Sequence, residues 1–230
     1  NLPGAVANYV DNESNKLDAD QYTARVDHQL TSRDNFYVRY IFTDQVNFVP
    51  GRFPGLGSDN IARPQNLALN HTHTFSPRLL NEFRFGYVRA VSSRLAENVA
   101  AGNDVTGKLG IRGFSTQPRE FGLPTMVMTS ITQTGDVDPF AQVNNTFQWI
   151  DNVVLTKGNH ALKFGAEIRR FQFNIFALRL RASLNFDGRY TNNPATRTGG
   201  SDVADLLLGL PNRADRTVGD VQSYFRRTSY

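Results

Sequence analysis

The chain contains no cysteine, which removes disulfide frameworks, thiolate metal centres and cysteine nucleophiles together. Long hydrophobic runs are missing too: clusters such as Leu206-Leu207-Leu208 fall far short of the ~18 apolar residues of a spanning helix. Lys and Arg (25) exceed Asp and Glu (21) by only four in 230 residues. No basic tract gathers them, so nucleic acid is not an expected partner. No Gly-x-Ser-x-Gly elbow is present, and the glycine-bearing stretch 107–113 lacks the Lys-Ser/Thr of a phosphate loop. No catalytic residue, enzymatic activity or cofactor is therefore expected. The opening Asn1-Leu2-Pro3-Gly4 has neither an initiator Met nor a signal-peptide layout, and the closing Tyr224-Phe225-Arg226-Arg227-Thr228-Ser229-Tyr230 stops within an alternating stretch. The expectation is an interior fragment of a longer protein.

Aromatic residues are abundant, with 17 Phe and 8 Tyr. They sit in a unit written three times: an alternating stretch, a tight polar turn, a second alternating stretch. The units span 20–44 with a turn at 32–35, 66–89 with a turn at 76–78, and 145–173 with a turn at 157–159. Much longer connections rich in Gly and Pro separate them. Short turns on one side, long loops on the other and strands of about 9–11 residues are the wiring of a transmembrane β-barrel. The hydrophobic share of 40% and mean hydropathy of −0.41 agree with a wall whose alternate residues face a polar lumen. The fold class read from this pattern is all-β, an antiparallel barrel segment of about six to eight strands with long extracellular loops.

A period of two makes the choice of face binary. Val26, Phe36, Val38, Tyr40, Phe83, Phe85, Leu162, Phe164 and Ile168 fall on the face assigned to lipid. Arg25, Asp27, Arg39, Glu82, Arg84, Lys163, Glu167 and Arg169 fall on the opposite face, towards the lumen or a plug. The inverted register would set Arg39 in lipid at a cost of ~2–4 kcal/mol. One strand is irregular: Asp151 shares a face with Phe147, Trp149, Val153 and Leu155. Either it faces lipid near an interface or a bulge turns it inward. After six crossings the chain is back on the long-loop side. Residues 174–217 are thus expected as an outer excursion with a short helix at 204–211, and 218–230 as the start of the next strand.

Several strings resemble those of TonB-dependent outer-membrane receptors of the Oar-like group. They are Asp20-Gln21-Tyr22-Thr23-Ala24-Arg25-Val26-Asp27-His28-Gln29-Leu30 with Asn35-Phe36-Tyr37-Val38-Arg39-Tyr40, Phe75-Ser76-Pro77-Arg78-Leu79-Leu80-Asn81-Glu82-Phe83-Arg84-Phe85-Gly86-Tyr87, and Gly158-Asn159-His160-Ala161-Leu162-Lys163-Phe164-Gly165-Ala166-Glu167. Ala204-Asp205-Leu206-Leu207-Leu208-Gly209-Leu210-Pro211, after the stretch 186–191, is similar to another string of that group. The resemblance implies a barrel of roughly 22 strands with a plugged lumen, of which residues 1–230 would be part. It also implies uptake or export of a bulky solute powered from the inner membrane. The partners it implies are outer-membrane lipid, a plug domain of the same full-length chain, a TonB complex and an unidentified solute. Plug and TonB box are not in these strings.

His71 and His73 share a face as a metal pair would, but the sequence shows no third ligand, so no metal site is expected. The acidic stretch Asp11, Glu13, Asp18, Asp20 lacks the glycine turn of a calcium loop. Asp136 and Asp138 read as solvated loop residues. Ligand selection is expected in the loops 47–64 and 92–142, where Phe53, Phe114, Phe121, Met126 and Met128 either form an apolar contact surface or pack the loops onto the rim. Two other readings fit the alternation: a small outer-membrane barrel acting as adhesin or enzyme, and a soluble carbohydrate-binding β-sandwich.

Overall fold

The computed structural model describes residues 9–177, 181–217 and 221–230. Eleven strands form two sheets. They are β1 (Lys16–Thr31), β2 (Asp34–Val49), β3 (Ser58–Ala62), β4 (Gln65–Ser76), β5 (Leu79–Ala96), β6 (Thr125–Met128), β7 (Phe140–Lys157), β8 (His160–Ala177), β9 (Ser183–Phe186), β10 (Arg213–Asp215) and β11 (Val221–Ser229). Three short helices, α1 (Glu97–Ala100), α2 (Val105–Lys108) and α3 (Asp202–Leu207), and a 3-10 turn (Pro118–Glu120) lie between them.

The main sheet is antiparallel and runs β1-β2-β3-β5-β7-β8-β11, with β4 also between β2 and β5. β3 and β4 share one lane, broken at Arg63-Pro64. Proline has no N–H to give the ladder, yet the break is bridged: Arg63 N–H donates to the Val91 carbonyl (3.0 Å) and Thr43 N–H to the Pro64 carbonyl (3.1 Å). The hairpins expected at 20–44, 66–89 and 145–173 fall on β1–β2, β4–β5 and β7–β8. The first two turn with a register shift just before the turn, at 29/31 and 74/76. The third turns without one at Gly158, whose positive φ of 61° suits a two-residue hairpin loop.

The strands are longer than the sequence suggests. β1 and β2 have 16 residues, β5, β7 and β8 have 18. At about 3.3 Å per residue the longest reach ~60 Å, about twice a hydrocarbon core. The alternation fades where both faces meet water or loops. β8 even exchanges its faces at Arg169-Arg170: Phe171 and Phe173 continue the line of Lys163, Glu167 and Arg169. Accordingly the expected loop 47–64 contains β3, the expected loop 92–142 is shortened by β5 and β7, and the excursion expected from 174 starts after Ala177. Of the strand expected at 218–230, residues 218–220 lie outside the described residues.

Beyond the main sheet, β6 pairs parallel to β9 and β9 antiparallel to β10. This small sheet, α1–α3 and their loops form a cap. Buried side chains concentrate there: Met128, Ala182 and Phe186, with the polar Asp136, Arg181, Asp202 and Asp205. The main sheet is a single layer, and β1 is exposed throughout.

Candidate functional site

The register sorts the main sheet into two unlike faces. On one, Val26, Val38, Leu69, Phe85, Trp149 and Ile168 lie opposite one another in an unbroken apolar row across β1, β2, β4, β5, β7 and β8. Phe36, Tyr40, Phe83, Leu162 and Phe164 share that face. Polar residues bound it, with Asp34, His71, His73 and Asn81 towards the turns and Asp44, Gln65, Arg89, Asn145 and, on β8 just beyond Ile168, Arg170 towards the cap. Between Asp34 and Asp44 on β2 the apolar band spans ~25 Å once strand tilt is allowed for, the height of a lipid-facing belt. Asp151 stays in register on this face; β7 has no bulge. The Asn81 amide donates to its Oδ1 at 2.7 Å.

The other face carries all eight charged residues singled out in the sequence. Three ion pairs form between residues two apart on one strand: Arg25–Asp27 (2.6 Å), Arg84–Glu82 (2.6 Å) and Arg169–Glu167 (2.5 Å). Arg25 also lies over the Tyr37 ring, Asn70 donates to Glu82, and Gln148 donates to Glu167. Side chains two apart on a strand point the same way, so these pairs form without help from a neighbouring strand. Among the described residues Arg39 makes no hydrogen bond or ion pair, whereas the Lys163 charge acts on Glu82 through space.

In the cap, buried charges tie together segments far apart in sequence. The Arg181 guanidinium donates to the carbonyls of Glu120 (3.0 Å), Asp136 (3.3 Å) and Val137 (3.3 Å). Its backbone N–H donates to Asp138 Oδ1 at 2.9 Å. Burial lowers the Arg181 pKa, opposed by Asp136, Asp138 and Glu120. Asp136 accepts from Leu123 N–H (2.5 Å) and the Asn98 amide (2.9 Å). Burial nonetheless raises its pKa above the ordinary 3.8. Gly122, at φ 132°, passes between these two side chains; a Cβ there would sit 2.8 Å from Asp136 Oδ2 and 3.0 Å from Arg181 Cζ.

A second tie joins α3 to the end of β6. Ser201 caps α3 through Ala204 N–H (3.3 Å). Asp202 accepts from Ser130 Oγ (2.6 Å), Ser130 N–H (2.6 Å) and Thr129 Oγ1 (2.9 Å). The Ser130 hydroxyl, first among these donors, holds the Asp202 carboxyl well below the usual carboxylate range despite burial. The signs of the two carboxyls oppose each other. Asp136, raised, favours the closed cap in acid and loses that contribution as pH rises. Asp202, depressed, favours it above the ordinary carboxyl value and loses that contribution as pH falls. The closed cap should hold from neutrality down to about pH 4 and loosen below it. A distance between spin labels placed by Ile131→Cys and Leu207→Cys should be narrow at pH 7 and broaden below pH 4. Adding Asp202→Asn should abolish that pH dependence.

Between these ties lies a cleft of about 1010 Å³, lined by Leu109, Phe114, Met126, Leu184, Phe186 and Leu206 among others. Arg112, Asp215 and Arg216 add charge to the lining, and Arg216 donates to the Gly113 carbonyl. Leu207 and Leu208 extend the apolar lining to the exterior, 82% and 63% exposed. Of the five apolar loop residues singled out in the sequence, Phe114 and Met126 line this cleft and Met128 is buried. Phe53 instead meets the Tyr9 ring at 5.2 Å, and Phe121 follows the 3-10 turn. The acidic residues expected to be solvated divide: Asp11 accepts its own loop's Glu13 N–H, while Asp136 and Asp138 hold the cap. Sequence reasoning missed Arg181 and Asp202; the Ser201-Asp202 pair ahead of an apolar run is a helix-start signal that marks the second.

An apolar belt on one face, ion-paired charges on the other, tight turns at one end and a folded cap at the other define the wall of an outer-membrane β-barrel. Comparison with protein families agrees: the outer membrane beta barrel domain matches residues 1–230, and the chain belongs to that family, in the outer membrane. Comparisons with curated proteins and with solved structures gave no match.

Proposed function

We infer that this barrel wall and cap belong to a TonB-dependent transporter of the Oar-like kind. It would move a bulky solute across the outer membrane, inward or outward, with energy from the inner membrane. The observation that carries the reading is the open main sheet: β1 pairs only with β2, and β11 only with β8, among the described residues. Membrane barrels leave no edge in lipid, so seven lanes, with β3 and β4 counted as one, ask for further strands and a wide lumen. A wide lumen in this class is plugged, which gives Arg39 a purpose: a cation without a hydrogen-bond or ion-pair partner among the described wall residues faces the plug of the same chain. The apolar face meets outer-membrane lipid, the cleft in the cap receives the solute, and the protein transports rather than catalyses. The motif resemblance set out above supplies the coupling to a TonB complex.

A photo-cross-linker introduced at Arg39 in the full-length protein, in its native membrane, tests this. The expected product is an intrachain link to a plug segment upstream of Asn1. A link to lipid alone, or to none of the chain, would overturn the reading.

A further inference from the structure

At the turn end of the apolar face, three potential metal ligands meet that are far apart in sequence. His71 and His73 share a face of β4, and β2 brings Asp34 opposite His73 and Phe36 opposite His71. Asp34 Oδ1 accepts from His71 Nε2 at 3.1 Å and from His73 Nδ1 at 2.5 Å. One ligand atom from each residue lies within 4.8 Å of the others, the single such group among the described residues. Two features make this more than proximity. Thr31 Oγ1 donates to the other carboxylate oxygen, Oδ2, at 2.5 Å and so fixes which oxygen faces the imidazoles. The Phe75 ring packs edge-on against His73, centroids 4.3 Å apart, and fixes that imidazole's plane. Partners that orient the ligands are what a metal centre needs beyond the ligands themselves.

We propose that Asp34, His71 and His73 form a binding site for a divalent first-row transition metal. Two imidazoles and one carboxylate suit Zn²⁺, Ni²⁺ or Cu²⁺, while Mg²⁺ and Ca²⁺ demand oxygen ligands. Three protein ligands leave at least one position for water or a further donor. The ion replaces the imidazole-to-carboxylate hydrogen bonds and adds a cross-link at the turn end of the β2–β4 ladder, which pairs nine residues from Asp34 opposite His73 to Phe42 opposite Gln65. The site does not depend on the transport reading.

Zinc titration of the metal-stripped full-length protein in detergent, followed by calorimetry, provides the test. One equivalent of Zn²⁺ should bind to the wild type, with Mg²⁺ and Ca²⁺ failing to compete. Asp34→Asn and His73→Ala should each abolish saturable binding, Thr31→Ala should weaken it about tenfold, and His160→Ala, at a different turn, should leave it unchanged. Unaltered heat-modifiable gel migration shows that a variant is folded. X-ray absorption of the zinc-loaded wild type, which needs no variant, should show two imidazoles at about 2.0 Å. Absence of saturable binding, binding that survives Asp34→Asn and His73→Ala, or a zinc spectrum without imidazole would each overturn the proposal.

Discussion

Val38→Arg should cost the folded barrel about 2–4 kcal/mol, the penalty for a basic residue near mid-depth on a lipid face. Arg39→Val, one residue on, should change stability by less than about 1 kcal/mol. Val38 lies opposite Val26 on one side and Leu69 on the other, inside the row that continues through Phe85 and Trp149 to Ile168. An arginine there has no acidic neighbour in its row and must reach towards the interface, thinning the bilayer around it. Arg39 lies in the row Arg25, Arg39, Ala68, Gly86, Gln148, Arg169 and gives up no partner within the wall when it becomes valine. Denaturant unfolding of the full-length protein in lipid vesicles measures both. Equal losses would mean that the two faces do not differ in environment.

Arg181→Met should open the cap while leaving the main sheet intact. Methionine fills much of the space of the arginine stem, but the carbonyls of Glu120, Asp136 and Val137 lose their donor and the Asp136 carboxylate loses its nearby cation. Removing one member of a buried charge network typically costs about 3–5 kcal/mol. Residues 118–138 are also held by the Arg181 backbone N–H donated to Asp138 (2.9 Å), Thr125 N–H donated to the Ala182 carbonyl (2.9 Å), four paired residues of β6 and β9, and the Asp202 bonds to Thr129 and Ser130 at the end of β6. That much loss exceeds what a short parallel ladder returns, so opening should be local. Hydrogen exchange at Thr125–Met128 should accelerate by at least a hundredfold, and protease should cut within 97–139 in intact membranes. The amides of β5 and β7 should stay protected. Protection of β6 equal to wild type would show that the guanidinium does not hold the cap.

The hairpins were legible because two local signals coincide, side chains alternating with period two and turns bearing Ser-Arg, Pro-Arg or Gly-Asn. The β3 segment was not, since Arg63-Pro64 severs Ser58–Ala62 from the strand it extends, and five residues with one isoleucine carry no alternation of their own. The cap was opaque for another reason. β6 meets β9 across more than fifty residues of chain, and nothing local in Thr-Met-Val-Met names Ser-Leu-Asn-Phe as its partner. Buried Arg181, Asp136 and Asp202 look like any loop charges until the pairing that encloses them is known. The histidine pair shows the same boundary: the face shared by His71 and His73 follows from period two, but Asp34 joins them only through the β2–β4 register. Asp151 needed that register as well, to show that Asn81 is its neighbour.

The central claim is that one face of this sheet meets hydrocarbon and the other a wet interior. Nitroxide labels attached through Val38→Cys and Arg39→Cys, one at a time in the full-length protein in a bilayer, test it most directly. Relaxation by oxygen, which concentrates in lipid, should dominate at position 38, and relaxation by a water-soluble nickel chelate should dominate at position 39. Nickel dominance at both positions would contradict the assignment of the two faces, and with it the membrane wall.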